Sequence, residues 1–405
     1  MKKYNRKIDV IIPVYNVPDN ILFRCLSSIA CQDIVKDLEV TIVDDATTDK
    51  DCHYEKVASC FESILKINIL RYETNGGPGV ARQYGLDHTS NGYMTFIDAD
   101  DTFNGSFALK ALRNNIEINN GLYHMCVGIF DEVHEEGLPA GQGPLLMQHD
   151  QDLIWMFGKL YRRSFIDKYN IHFHETSRAN EDNGFNTMIR LCSSEQEQIN
   201  FINHHVYYWH ESPSSITRAN DCQYSYGSSI RDSFYGYVEN MIFAIKEAKK
   251  RKPYNGGITQ WAVGCMINIY EYYIECYARA KEHAETNLKW CKRYYDEVYK
   301  DLEKDINEQI LSQEYNNTMR NAYMGNKLEG IIPCIGILEF IEKLRNYKSD
   351  SISATKYTVK KDWSDDNTLT GAFDTLEKAK ENCAEGYSVF DANGKTLYKN
   401  TPQKK

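Results

Sequence analysis

The sequence predicts an α/β protein built on a doubly wound, largely parallel sheet. Two observations predict it. Short apolar runs of strand length alternate with segments whose apolar residues recur every three to four positions. That alternation implies parallel strands joined by helical crossovers. Polar and acidic side chains gather where the strands end: Asn16, Asp44, Asp45, Asp98 and Asp100. Open α/β sheets bind their ligands at that carboxyl edge.

The elements follow in order. Val10-Ile11-Ile12-Pro13-Val14-Tyr15-Asn16 is an apolar run closed by a polar turn, the first strand. Residues 20–31 carry Ile21, Leu22, Cys25, Leu26 and Ile29 at helical spacing. Val40-Thr41-Ile42-Val43-Asp44-Asp45 repeats the plan of the first strand and ends in two carboxylates, and residues 68–72 form a third short strand. Gly76-Gly77-Pro78-Gly79 lets backbone approach a ligand closely or simply leads into a helix that starts near Val80. Residues 94–99 read as a buried strand interrupted by Asp98, with Asp100 and Asp101 crowding its end. Asp101 is expected to cap a helix beginning near Ser106. Glu181-Asp182 precedes an amphipathic helix with Phe185, Met188, Ile189 and Leu191. A strand at 206–209 leads into a loop holding His210 and Arg218.

The chain divides into three by composition. Residues 1–222 form the α/β domain. Residues 223–347 are rich in Tyr, Ile, Lys and Glu; here Trp261, Cys265, Ile269, Tyr272, Tyr273 and Cys276 make one apolar stripe of a helical subdomain. Polar residues 348–354 read as a linker. Residues 355–400 read as a small α+β module. Its parts are a strand at 356–359, a helix at 375–384 with Asp374 and Glu377 as its capping box, and a hairpin turning at Asn393-Gly394.

Composition excludes several classes. A chain of 405 residues exceeds one typical core. A formal net charge of −10 argues against a broad nucleic-acid-binding surface, although residues 246–252 are locally basic. No run of 18 apolar residues marks a transmembrane helix. The first residues lack the apolar stretch of a signal peptide. Twelve cysteines without CxxC pairs fit reduced thiols, with Cys192 and Cys265 in the core. These traits place the protein in the cytoplasm or peripherally at the inner face of the membrane.

The acids carry the chemistry. Burying unpaired carboxylates costs several kcal/mol. Asp98-Ala99-Asp100 offers two hard oxygen ligands suited to Mg²⁺ or Mn²⁺ and a diphosphate, or else forms a solvated turn. Asp45 is placed to accept from a nucleobase N–H, with the Tyr15 ring stacked on that base; alternatively Asp44 and Asp45 are a turn and helix cap. Arg82 lies one turn into its helix, free to reach a phosphate or to pair with Asp98. Trp155 offers a flat face to a sugar ring, or fills the core. Glu181 and Asp182 either work on a substrate or favour a helix N-terminus through its dipole.

Seven motifs in order are similar to those of family 2 glycosyltransferases of the GT-A fold, over residues 7–220. They are Ile11-Ile12-Pro13-Val14-Tyr15-Asn16, Val43 to Asp49, Asn75 to Arg82, Phe96 to Asp101, Gly158-Lys159-Leu160-Tyr161, Asn180-Glu181-Asp182, and Tyr207-Tyr208-Trp209-His210 with Ser215-Ile216-Thr217-Arg218. The resemblance implies an inverting enzyme that moves a sugar from a nucleotide-sugar donor, UDP-linked, to a hydroxyl acceptor in bacterial or phage glycan synthesis. It implies Asp182 as the catalytic base with Glu181 beside it. It implies donor contacts from Pro13, Tyr15, Asp44, Asp45, Gly77, Arg82, Asp98, His210 and Arg218, with Asp100 and Asp98 on Mn²⁺ or Mg²⁺. Trp155 falls on the acceptor side. The last 45 residues resemble a module at the ends of some phage-related and Gram-positive bacterial proteins.

Two other readings compete. A non-catalytic sugar-nucleotide-binding protein would have no need of Asp100 and Asp182 together. A nucleotidyltransferase would carry a basic, Gly-rich loop after the first strand, and residues 15–20 hold no basic side chain. The acceptor is a glycan, a teichoic-acid-like polymer, a protein or, for a phage enzyme, modified DNA.

Overall fold

A computed structural model describes residues 4–134, 145–174, 179–210, 228–252, 257–279, 284–306, 311–313, 315–316, 335–347, 357–360, 371–373, 376–384, 387–391 and 396–400. By compactness the chain falls into two units, 1–337 and 338–405.

The first unit is organised by a nine-stranded mixed sheet. Strand β1 (Ile8–Val14) lies centrally, between β2 (Leu38–Asp44) and β4 (Tyr93–Phe96), parallel to both. Strand β3 (Lys66–Arg71) extends the parallel half beyond β2. Past β4 the order runs β8 (Lys159–Arg162), β6 (Tyr123–His134), β9 (Gln198–His210) and β5 (Thr102–Phe103), with β7 (Leu145–His149) on β6. Here antiparallel pairs dominate; β6 and β9 are parallel.

Strand β1 is apolar because it is buried on both faces, as a central parallel strand must be. Its one acid, Asp9, is buried and met by Asn91 at 2.6 Å and Arg163 at 3.0 Å. Helix α1 (Asp19–Ala30) buries Leu22, Cys25, Leu26 and Ile29, the predicted stripe with Ile21 at its margin. Helices α2 (Tyr54–Ser59), α3 (Pro78–Asp87), α4 (Ala108–Ile116) and α5 (Arg163–Tyr169) follow in the crossovers. Helix α6 (Glu181–Cys192) is buried along almost all its length, including Cys192.

The helices after residue 227 share this unit. They are α7 (Ser228–Arg251), α8 (Gly257–Arg279) and α9 (Ala284–Tyr294). Helix α8 departs from the single expected stripe. Cys265, Ile269 and Tyr273 are buried, but so are Ala262, Met266, Tyr270 and Ile274. The helix packs against both α7 and α9, so apolar residues are needed around most of its circumference. The Cys276 side chain lies outside the described residues. None of the described helices is long and apolar enough to cross a membrane.

The second unit contains a four-stranded antiparallel sheet, ordered β11 (Gly371–Phe373), β10 (Tyr357–Lys360), β12 (Ser388–Asp391) and β13 (Thr396–Lys399). Its core is Val359, Ala379, Cys383 and Val389. The expected strand and hairpin partners are present, and the short strand β11 is an addition. The expected helix is shorter than predicted, Leu376–Glu381. Asp374 and the Asn393-Gly394 turn lie outside the described residues.

Candidate active site

The carboxyl ends of β1, β2 and β4 meet as the acid positions predicted. Asn16 takes a left-handed backbone, φ 52°. Its side-chain oxygen accepts the amides of Thr48 at 2.9 Å and Asp49 at 3.0 Å, tying the turns after β1 and β2 together. Tyr15 beside it is 45% exposed, a bare aromatic face at the sheet edge. Pro13 is half-buried opposite Val43. The β4 ladder ends at Ile11, so the missing Pro13 N–H costs no bond on that side.

Asp44 and Asp45 separate because successive strand residues face opposite ways. The Asp44 side chain is fully buried, with Arg71 at 2.6 Å and the Thr47 amide at 2.8 Å. Both its oxygens are bonded inside the protein, where it shapes the turn. Asp45 accepts the Gly76 amide at 2.6 Å, the Gly77 amide at 2.8 Å and the Asn75 side chain at 3.0 Å. It anchors the glycine loop ahead of α3.

At the end of β4, Asp98 and Asp100 are both half-buried. Burial, then the nearby Asp98 charge, pushes the Asp100 carboxyl up to about 6. Arg24 donates to the Asp100 carbonyl. Asp101 is not a helix cap. It is fully buried and accepts from the Tyr207 hydroxyl at 2.6 Å and the His210 amide at 2.8 Å. Helix α4 instead begins at Ala108 without a side-chain cap. Burial raises the Asp101 carboxyl, and Asp100 and Asp98 add to that. His210 is the last residue of β9 rather than part of the loop beyond it, because β9 runs longer than predicted and pairs with β5. Its ring nitrogen lies 2.9 Å from the Thr102 hydroxyl. Arg218 lies outside the described residues.

Arg82 joins this edge to α6. It is buried, 2.5 Å from Asp98 and 2.6 Å from Glu181. Burial opposes its charge, but Asp98, Glu181 and Asp182 outweigh burial and hold it firmly protonated. Glu181 is raised by burial, with Arg82 pulling the other way. Asp182 is half-buried in the first turn of α6, and the Asn183 amide donates to it at 2.7 Å. Burial, then the Glu181 charge, pushes it up to about 7. A carboxylate poised there suits a general base near neutrality.

Trp155 is half-buried within an aromatic group: Phe130 lies at 5.5 Å, His149 at 5.4 Å and Trp209 at 6.0 Å between ring centroids. Asn186, one turn beyond Asp182 on α6, ties this segment down. Its amide nitrogen donates to the Ile154 and Trp155 carbonyls at 3.0 and 2.9 Å, and its oxygen accepts from Tyr161 at 2.9 Å. Lys159 is fully buried on Asp152 at 3.0 Å, and burial lowers its ammonium.

Comparison with known proteins agrees with this geometry. The family model described as Glycosyl transferase family 2 matches residues 9–179. This stretch is a family 2 glycosyltransferase domain. The poly(ribitol-phosphate) beta-glucosyltransferase of Bacillus spizizenii is 28% identical over 262 residues, 61% of this chain and 38% of that protein. The uncharacterized glycosyltransferase EpsJ of Bacillus subtilis is 25% identical over 225 residues, 52% of this chain and 62% of its own. The chain thus spans less than two thirds of either relative. Residues 1–349 of S. aureus TarS, solved with UDP-GlcNAc, superpose with a TM-score of 0.57 at 18% identity, covering 79% of this chain and 92% of that one. At that identity the likeness is one of fold, and it carries the GT-A architecture.

The family 2 domain brings Asp45, Arg82, Asp98 and Asp100 to one sheet edge, and Arg82 draws Glu181 of α6 to it. Tyr207, Thr102 and Asn186 escaped sequence reasoning. Tyr207 sat inside a quoted motif, but its partner Asp101 lies 106 residues away. Asn186 looked like a polar interruption of an amphipathic helix, which was the available signal.

Proposed function

We propose that this chain is an inverting glycosyltransferase acting on a UDP-linked sugar. The observation that carries the reading is Arg82, whose bonds to both Asp98 and Glu181 support a single site shared by the strand-end acids and those of α6. Asp182, next to Glu181 and pushed up to about 7, is the base. The acceptor hydroxyl attacks the anomeric carbon on the face opposite the diphosphate. Asp182 takes the hydroxyl proton as the bond to the diphosphate breaks. One displacement inverts the anomeric configuration.

Tyr15 stacks on the uracil, and Asp45 with the loop at Gly77 lines the base. Pro13 shapes that edge. Asp98 and Arg82 face the sugar, and His210 and Arg218 the diphosphate. Asp100 and Asp98 fit Mn²⁺ or Mg²⁺: they are hard oxygen donors side by side at the end of β4, and the Asp98 charge adds to burial in raising the Asp100 carboxyl. Among the described residues no group of three or more His, Cys, Asp or Glu is placed to hold a metal ion. A bound ion would neutralise charge on the departing diphosphate. The relatives' names support a bacterial surface polymer as acceptor, with Trp155 stacked on one of its sugar rings. A cytoplasmic or inner-face site of action belongs to the same proposal.

The test is incubation with a panel of nucleotide sugars and Mn²⁺, followed by assay of released UDP, GDP or pyrophosphate. UDP release that rises with added polyol polymer is the expected result. Pyrophosphate release would mean nucleotidyl transfer, and donor binding without turnover would mean a binding protein.

A further inference from the structure

We infer that Asn240 of α7, outside the residues matched by the family 2 model, is a positioning residue that fixes the turn carrying the base Asp182. This rests on the proposed role of Asp182.

Among the described residues, the hydrogen bond made by the Asp182 carboxylate is the one from its neighbour's amide, Asn183. That bond comes from the backbone of its own turn, so the turn positions the carboxylate. That turn is unusual. Asn180, immediately before α6, has a left-handed backbone at φ 59° and ψ 21°. Its carbonyl accepts the Gly184 amide at 3.0 Å and closes the first helical turn. Something must hold the peptide that enters this bend.

Asn240 does so from 61 positions away. Its amide nitrogen donates to the Ala179 carbonyl at 2.9 Å and to the Gly236 carbonyl at 2.9 Å. The residue is fully buried. The bond to Gly236 lies in the buried interior, and the bond to Ala179 at its half-buried margin. Two glycines admit this contact. A Cβ on Gly236 would come within 2.4 Å of the Ala179 carbonyl oxygen, and one on Gly184 within 2.5 Å of Asn240 Oδ1. Backbone meets backbone where α7 crosses the start of α6, and Asn240 fills the crossing.

The contact also bears on burial of the base. Burial is the largest cause of the raised Asp182 carboxyl; Glu181, Arg82 and Asp98 act on it, and the buried Lys159 and Tyr161 also face it. A loosened turn admits water and weakens that cause. Chemistry and position then change together, while the donor edge at Asp45 and Asp98 does not.

The experiment uses Asn240→Leu in the full chain, a side chain of similar shape that cannot donate. Expected are a kcat lower by on the order of 10- to 100-fold, a UDP dissociation constant within about twofold of wild type, and an acid limb of the kcat profile displaced to lower pH. A folded variant with unchanged kcat and acid limb overturns the inference, because a merely structural role moves neither. Hydrogen exchange on the unmodified protein stands in if the variant does not fold. The Gly184 amide should then exchange as slowly as the amides of mid-α7, and exchange at free-chain rates overturns the inference. If the unmodified protein turns over no nucleotide sugar, the glycosyltransferase reading fails, and the exchange measurement still judges the clamp.

Discussion

Replacing Asp182 with Asn tests the base and its surroundings at once. The two side chains are nearly isosteric, and the amide oxygen still accepts the Asn183 N–H now at 2.7 Å. What is lost is the ability to take a proton. The expected fall in kcat is on the order of 10²- to 10⁴-fold. With the carboxyl at about 7, roughly a tenth of the protein holds it ionised at pH 6 and about nine-tenths at pH 8. The kcat of the unmodified protein should then rise roughly tenfold between those pH values, and residual Asp182→Asn activity should not follow that curve. Stability should move the other way. The folded pKa is raised above the ordinary 3.8, so ionisation destabilises the folded state. That cost is absent below about pH 4, grows through the interval, and is complete above pH 7, at about 4 kcal/mol. Asp182→Asn removes much of it, so the variant should melt several degrees higher at pH 8, with a smaller gain at pH 5. Donor hydrolysis or transfer assays across pH, beside calorimetric melts, read both effects. A variant keeping more than about a tenth of kcat refutes Asp182 as base and turns attention to Glu181. A melting difference independent of pH refutes the buried-charge argument.

Further outcomes concern the rest of the site. Asp100→Ala should abolish turnover and leave the circular dichroism spectrum unchanged; full activity in excess EDTA would exclude the metal role of Asp98 and Asp100. Arg82→Ala leaves Asp98 and Glu181 without their shared cation, so it should lower unfolding free energy by about 3–5 kcal/mol in denaturant titrations as well as eliminate activity. An unchanged denaturation midpoint would show that the bridge is weak. A chain ending at Ile337 keeps the whole first compact unit and should stay soluble and turn over donor; loss of UDP binding on truncation would mean that residues 338–405 build part of the site.

The parts of this protein legible in its sequence are those made by local pattern. Strand β1 and its neighbours show as apolar runs because both faces of a central parallel strand are buried. The acids at Asp44-Asp45 and Asp98-Ala99-Asp100 mark the carboxyl edge because three buried runs end there. The stripe of α1 shows because one face meets the sheet. Sequence by itself thus determined the fold class, the sheet edge where the acids gather and which acids stand there. Only tertiary structure decided their tasks. Asp44 turned to Arg71 while Asp45 took the glycine loop, a choice set by strand pleat and by what lies across the turn. Asp101 was drawn to Tyr207 rather than to a helix end. Arg82 meets Glu181 across 99 residues, and Asn240 meets Ala179 across 61. Such pairings leave no local period in the chain, because close packing and the burial of unsatisfied polar groups settle them only when distant segments meet.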